Sequence, residues 1–207
     1  MLRFSYTFDG DGGLSSQEGT VGTIFSELSQ RLASAEPPYA EWAKPSAVMM
    51  LIARLPEPAV LLIRRPDTLT HHAGQIACPG GSLDPGMDQC LWDAAQREAE
   101  EEVGIRVAPE AVAGFLDPIH IHVTGFTLLP VVAVVDRRPP VVPLADEVAE
   151  YRWVNLDTLR RTRRTAPMDI NGVRCQMAEF PLEWGRLWGA TARAVDQLLH
   201  VLEGDIV

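Results

Sequence analysis

The sequence predicts a mixed α/β or α+β sandwich, and three observations carry that prediction. Short aliphatic runs bounded by proline and glycine read as buried strands. Four segments carry the spacing of amphipathic helices and are scattered among those runs rather than gathered at one end. With 46% hydrophobic and 22% charged residues, 207 positions suffice for one domain with an ordinary core plus extensions.

Taken in order, residues 1–20 are polar and rich in Gly and Ser, and are expected to be loose. Residues 21–33 place Ile24, Phe25, Leu28 and Leu32 near helical spacing, and Pro37 and Pro38 end that helix. Residues 47–53 and 60–63 read as buried strands with a turn over Pro56 and Pro58. Residues 66–90 read as loop, with Pro79-Gly80-Gly81 and Asp84-Pro85-Gly86 as turn signals. Residues 91–103 form the clearest helix, closed by Gly104. Strands are expected at 112–116, 128–135, 151–154 and 173–178, with an exposed loop at Pro139, Pro140 and Pro143. A short basic helix is expected at 157–164 and a C-terminal helix at 186–202, with Trp188, Ala192, Val195, Leu198 and Leu199 on one face. Residues 1–44 read as an N-terminal extension with one helix, and 45–205 as the main domain.

Composition narrows the function classes. The aliphatic runs are too short to span a bilayer, so no membrane helix is expected. The first thirteen residues lack the positive-then-apolar layout of a signal peptide. Cys78, Cys90 and Cys175 include no CxxC pair, which argues against a disulfide framework or structural zinc and favours a reducing cytoplasm. A formal net charge of −10 disfavours general nucleic-acid binding, which needs Lys and Arg against phosphates. Such a chain can still bind a small phosphorylated ligand where cations reverse the local sign.

The informative segment is Arg97-Glu98-Ala99-Glu100-Glu101-Glu102-Val103-Gly104-Ile105. Residues three and four apart share a helix face, so Glu98, Glu101 and Glu102 are expected to project to one side. Trp92, Ala95, Ala99 and Val103 form a separate apolar stripe that packs on a sheet. Like charges at i, i+4 destabilise a bare helix by about 0.2–0.5 kcal/mol per pair, so a converging triad calls for a counter-charge. Hard divalent cations with oxygen ligands supply one, Mg²⁺ or Mn²⁺ above all. Alone, a Glu-rich helix is more often a solvated face; its neighbours decide.

The segment resembles the core of the Nudix motif, REUxEExGU with U bulky and aliphatic, and Gly80-Gly81 resembles the glycine loop ahead of it. The family pattern of Gly, five residues, Glu, seven residues, Arg is not kept: Gln89 stands at the Glu slot and the loop is about two residues longer. Asp84 and Asp88 are the nearby carboxylates that could substitute. The run Leu61-Leu62-Ile63-Arg64-Arg65, Leu69, His72, Gly74, Gln75 and Cys78-Pro79-Gly80-Gly81 is similar to the motif of the coenzyme A diphosphatase branch, with Ile63 for Thr and Cys78 for Phe. Asp146-Glu147-Val148 and the ending Trp188-Gly189-Ala190-Thr191-Ala192 resemble that branch as well.

The resemblance implies an α/β/α sandwich with a mixed sheet, and a hydrolase that cleaves a diphosphate linkage in a nucleotide derivative. The substrate that the resemblance implies is coenzyme A or a derivative of it, cut to 3′,5′-ADP and 4′-phosphopantetheine. It implies Glu98, Glu101 and Glu102 as metal ligands, with the Gly81 carbonyl a further one. Arg97 would be held by a carboxylate and fix the helix against the loop. Glu101, Glu102 or Glu147 would take the proton from the attacking water. Arg64 and Arg65 would point to opposite sides of a strand, so only one is expected at the phosphate, and Arg65 is the better candidate because it fills the Arg slot of the motif that the run resembles. His72 and Gln75 would contact substrate or stabilise the loop. The arginines of 157–164 would attract an extra phosphate or simply face solvent, and His71, His120 and His122 carry no motif. Other open readings are a Nudix enzyme for ADP-ribose or NADH, a non-catalytic ligand-binding relative, and an interaction protein with an acidic helix. A homodimer is also open.

Overall fold

The structure, a computed structural model, describes residues 23–70, 72–170 and 172–204. The expectations for residues 1–22 and for His71 lie outside the described residues. In chain order the elements are α1 (Thr23–Arg31), β1 (Lys44–Leu55), β2 (Ala59–Arg64), β3 (Ile76–Ala77), β4 (Gly80–Ser82), α2 (Leu91–Val103), β5 (Val112–Phe115), β6 (Ile119–Ile121), β7 (Phe126–Arg137), β8 (Glu150–Asn155), α3 (Leu156–Thr162), β9 (Arg164–Ile170), β10 (Val173–Leu182), β11 (Gly185–Leu187) and α4 (Gly189–Glu203).

The centre is a parallel pair, β1 against β7, in register from Lys44↔Phe126 to Leu55↔Arg137. β2 and β4 run antiparallel to β1, β5 and β6 antiparallel to β7, and β3 and β8 antiparallel to β2. The sheet is therefore mixed, as expected. β1 and β7 are near-continuous aliphatic runs because both of their faces are covered. Alternate side chains divide between two cores. Val48, Met50, Ile52, Val132 and Val134 pack with Leu28, Leu32 and the apolar face of α4. Ala47, Met49, Leu51, Leu129, Val131 and Ala133 pack with Leu91, Ala95, Ala99 and Val103 of α2. Each fully buried aliphatic side chain of this size contributes about 1.5–3 kcal/mol, so the two faces together hold α2 on one side and α1 with α4 on the other.

Several boundaries differ from expectation. The stretch 66–90 is not all loop: β3 and β4 lie within it, and Gly80-Gly81 is strand rather than turn, pairing Val48↔Gly80 and Ala47↔Gly81. Such short strands exist only because a neighbour completes their hydrogen bonds. The basic helix stops at Thr162, and Arg164 opens β9. That strand alternates exposed and half-buried residues around Pro167 and lies at the edge of the small sheet β11-β10-β9, where proline is tolerated. The C-terminal helix starts at Gly189, not Arg186. Arg186 and Leu187 pair with Pro181 and Phe180, and Trp188 precedes the helix in extended backbone, beneath the Arg186 guanidinium.

Candidate active site

α2 lies over β1 and β4 because Leu91, Ala95, Ala99 and Val103 recur every four residues and the alanines allow close approach. One step round the helix, Glu98 and Glu102 reach the edge of that face above β4. Glu102 is only 1% exposed. The Gly80 N–H donates to its Oε2 at 3.0 Å, and Arg65 Nη1 donates to its Oε1 at 3.2 Å. β4 must be glycine here. Gly80 sits at φ 155°, where a side chain would strike the Ala47 carbonyl, and a Cβ on Gly81 would lie 2.5 Å from Glu98 Oε1.

The loop ahead of β8 delivers a third carboxylate. The Val142 and Leu144 N–H groups donate to the carbonyls of Val103 and Glu102, both at 2.9 Å, which ties the loop to the end of α2. The Glu147 and Val148 N–H groups turn back to the Leu144 carbonyl, and Val148 is buried in the α2-side core. One oxygen each from Glu98, Glu102 and Glu147 then falls within 4.8 Å of the others.

The charge in this corner is poorly compensated. Arg97 is the hub: its Nε and Nη2 donate to Asp88 at 3.0 and 3.1 Å, its Nη1 to Glu98 at 2.7 Å and Glu101 at 3.2 Å, and its Nη2 also to the Ser82 carbonyl. Burial works to raise the Asp88 carboxyl, but the Arg97 guanidinium and the Asp84 N–H outweigh it and hold Asp88 below the usual range. Glu98 goes the other way: burial raises it, with Glu101 and Glu147 adding to the rise against Arg97. Burial pushes Glu102 up to about 8 despite Gly80 and Arg65, with Glu98 and Glu147 contributing. Five carboxylates (Asp88, Glu98, Glu101, Glu102, Glu147) thus share two guanidiniums, Arg65 and Arg97. Converging hard oxygen donors with excess negative charge fit a divalent cation.

Not every expected residue joins the cluster. Glu101 does not converge with Glu98 and Glu102. At about 100° per residue, Glu102 lies some 40° from Glu98 on the sheet side while Glu101 lies about 60° away on the other, and its side chain is 48% exposed beside Arg97. Arg65 faces the cluster, whereas Arg64 turns to Glu150 at 3.7 Å. His72 and Gln75 bond each other at 3.0 Å, and the Gln75 carbonyl accepts the Arg65 N–H. Three of the arginines around α3 are ion-paired: Arg160 with Asp157 and Glu203, Arg163 with Asp196 and Glu203, Arg164 with Glu179; Arg161 donates to the Thr158 hydroxyl at 3.3 Å. His120 and His122 stack on each other edge to face. Asp88, one of two carboxylates weighed for the missing Glu, is the one that grips Arg97. Glu36, which caps α2, had no signal in the sequence at all, since capping across 55 positions leaves no local pattern.

An α/β/α sandwich that gathers under-compensated carboxylates beside a glycine strand fits an enzyme site for divalent metal ions. The comparisons agree. A model of the NUDIX domain matches residues 43–171. A Nudix hydrolase NudL of Cronobacter sakazakii, itself described as uncharacterized, is 39% identical over 156 residues, covering 74% of this chain and 80% of that protein. Its counterpart in Pectobacterium atrosepticum is 38% identical over the same spans. Among solved structures, the M. smegmatis Nudix hydrolase RenU has a TM-score of 0.52 at 23% identity, over 79% of this chain and 88% of that one. The NUDIX domain of Shewanella oneidensis NrtR, complexed with ADP ribose, has a TM-score of 0.54 at 16% identity, over 81% and 94%; both show the shared fold. The chain belongs to the Nudix family and is a hydrolase acting on pyrophosphate bonds of nucleoside diphosphate derivatives.

Proposed function

We propose that the substrate is coenzyme A or a derivative of it, cut to 3′,5′-ADP and 4′-phosphopantetheine with Mg²⁺ or Mn²⁺. The observation behind the chemistry is the convergence of Glu98, Glu102 and Glu147. The substrate assignment rests on the run from Leu61 to Gly81, which resembles the coenzyme A branch; two parts of that run, Arg65 and Gly80, bond Glu102 directly.

In this reading Glu98, Glu102 and Glu147 would hold the cation, with the Gly81 carbonyl and Glu101 as the further candidate donors. A bound divalent cation supplies neutralisation of phosphate oxygens and activation of water. Arg65 meets the diphosphate: Nη1 is spent on Glu102, but the side chain stays 27% exposed beside the cluster, leaving guanidinium N–H for a phosphate oxygen. Arg97 acts indirectly, by fixing Glu98 and Glu101 against Asp88. His72 and Gln75 shape the loop that holds Arg65. Glu147 is assigned as the base, because Glu102 has both oxygens engaged and Glu98 is bound by Arg97, while the Glu147 carboxylate has no hydrogen-bonded or ion-paired partner among the described residues. Water attacks one phosphorus, its proton passes to the carboxylate, and the P–O bond to the other phosphate breaks.

No described helix is long and apolar enough to cross a membrane, and Cys78, Cys90 and Cys175 are unpaired. Both features support a cytoplasmic enzyme. We take residues 45–205 as the catalytic domain, with 1–44 as an extension to it. The deciding experiment incubates the protein and Mn²⁺ with coenzyme A, dephospho-coenzyme A, ADP-ribose and NADH, and resolves products by chromatography. Preferred release of 3′,5′-ADP from coenzyme A is expected. Efficient cleavage of ADP-ribose or NADH with coenzyme A left intact would sink the substrate assignment.

A further inference from the structure

We infer that Glu36, from the segment ahead of the NUDIX-matched region, is a positioning residue that seats the carboxylate helix and so sets the cation affinity of the site. The inference rests on the reading that Glu98, Glu102 and Glu147 hold a divalent cation.

The first N–H groups of a helix lack partners within it. A Ser, Thr, Asp or Asn at the N-cap commonly supplies one. α2 has none: its N-cap is Cys90, extended at φ −154° and ψ 174°, and its side chain makes no capping bond. Glu36 fills that role from outside. The Leu91 N–H donates to its Oε2 at 3.1 Å and the Trp92 N–H to its Oε1 at 2.7 Å. A carboxylate there also faces the positive end of the helix dipole. The contact is reinforced nearby, where the Tyr39 hydroxyl donates to the Gln89 carbonyl at 3.3 Å and Tyr39 and Trp42 pack against the α2-side core.

The route of the segment shows why this is a clamp. Leu28 and Leu32 belong to the opposite core, and Arg31 Nη1 donates to the Val201 carbonyl on α4 at 2.6 Å. Ala33 then exchanges both backbone bonds with Phe115 at the sheet edge. Only after rounding that edge does the chain place Glu36 on α2. One strap therefore ties both helical layers together and ends on the helix carrying Glu98 and Glu102. A helix moves as a rod, so slack at Leu91 shifts Glu102 against its 3.0 Å bond from Gly80 and Glu98 against Gly81. The NUDIX match starts at residue 43, beyond the strap.

The test uses the full chain and Mn²⁺ as probe. Glu36→Ala should weaken Mn²⁺ binding, measured by calorimetry or paramagnetic resonance, by about tenfold. Glu36→Gln should fall between it and the parent. Amides of Leu91 and Trp92 should exchange faster, and the Mn²⁺ concentration for half-maximal turnover should rise while turnover at saturating Mn²⁺ stays close to the parent's. Adding Cys90→Ser to Glu36→Ala supplies a local cap and should recover Mn²⁺ affinity. A lowered melting temperature with unchanged Mn²⁺ affinity overturns the inference, as does a failed rescue. A parent chain that binds no Mn²⁺ sinks the cation reading itself. That result is distinct from parent and variant binding equally well, which removes only the role of Glu36.

Discussion

The molecule carries two clusters of charge, one on each side of the main sheet, and they are built differently. Around α3, α4 and the β9–β10 hairpin, Arg160, Arg163, Arg164 and Arg186 meet Asp157, Asp196, Glu203 and Glu179. In these pairs four cations face four anions. Under α2, Asp88, Glu98, Glu101, Glu102 and Glu147 have, among the described residues, only Arg65 and Arg97 as cations. Both regions look like charge runs in the sequence. The lesson is that a run becomes a site where folding leaves its charge uncompensated, because unneutralised, part-buried charge is what a ligand of opposite sign stabilises.

The comparison breaks most visibly if the carboxylates prove dispensable. Glu147→Gln keeps shape and removes the proposed base, so turnover should drop by about 10²–10⁴, read as kcat at saturating Mn²⁺. Glu102→Gln should abolish saturable Mn²⁺ binding together with turnover; a variant that still binds Mn²⁺ normally and hydrolyses at parental rate would place the reaction elsewhere. A smaller effect is expected one bond away. Asp88→Asn frees Arg97 from its bidentate partner and should weaken Mn²⁺ binding by about 10–100-fold, since Arg97 then no longer orients Glu98.

Stability against pH sharpens the contrast. Glu102 moves from an ordinary value of 4.5 up to about 8 in the folded chain. Between those values the folded chain holds a proton that the unfolded chain has lost, so its stability falls as pH rises through the window. Without metal, the melting temperature should decline from pH 5 to pH 8, and the decline should flatten in Glu102→Gln. Mn²⁺ competes with that proton, so its affinity should climb over the same range. Scanning calorimetry with and without Mn²⁺ reads both. Smallest of all, Asp157→Ala in the balanced cluster should change stability by about 0–1 kcal/mol, as exposed ion pairs do, and leave turnover untouched.

What the sequence determined by itself is everything set by short-range periodicity. The alternating faces of β1 and β7, the apolar stripe of α2 with Gly104 closing it at φ 68°, and the placing of Glu98 and Glu102 on one side of that helix all follow from residue spacing. That Arg64 and Arg65 turn different ways follows from spacing too, but the preference for Arg65 came from the motif slot it fills. The tertiary structure alone decided that β1 and β7 pair in parallel, that β4 slides under the carboxylates, and that Glu101 stays at the rim. It alone brought Glu147 over α2 from a loop some 45 residues away, chose Asp88 to grip Arg97, and paired Arg163 and Arg164, just past α3, with acids from α4 and β10. Spacing along a chain specifies which side chains share a face. Which faces then meet, and what charge remains when they do, depends on contacts between distant segments that no local pattern encodes.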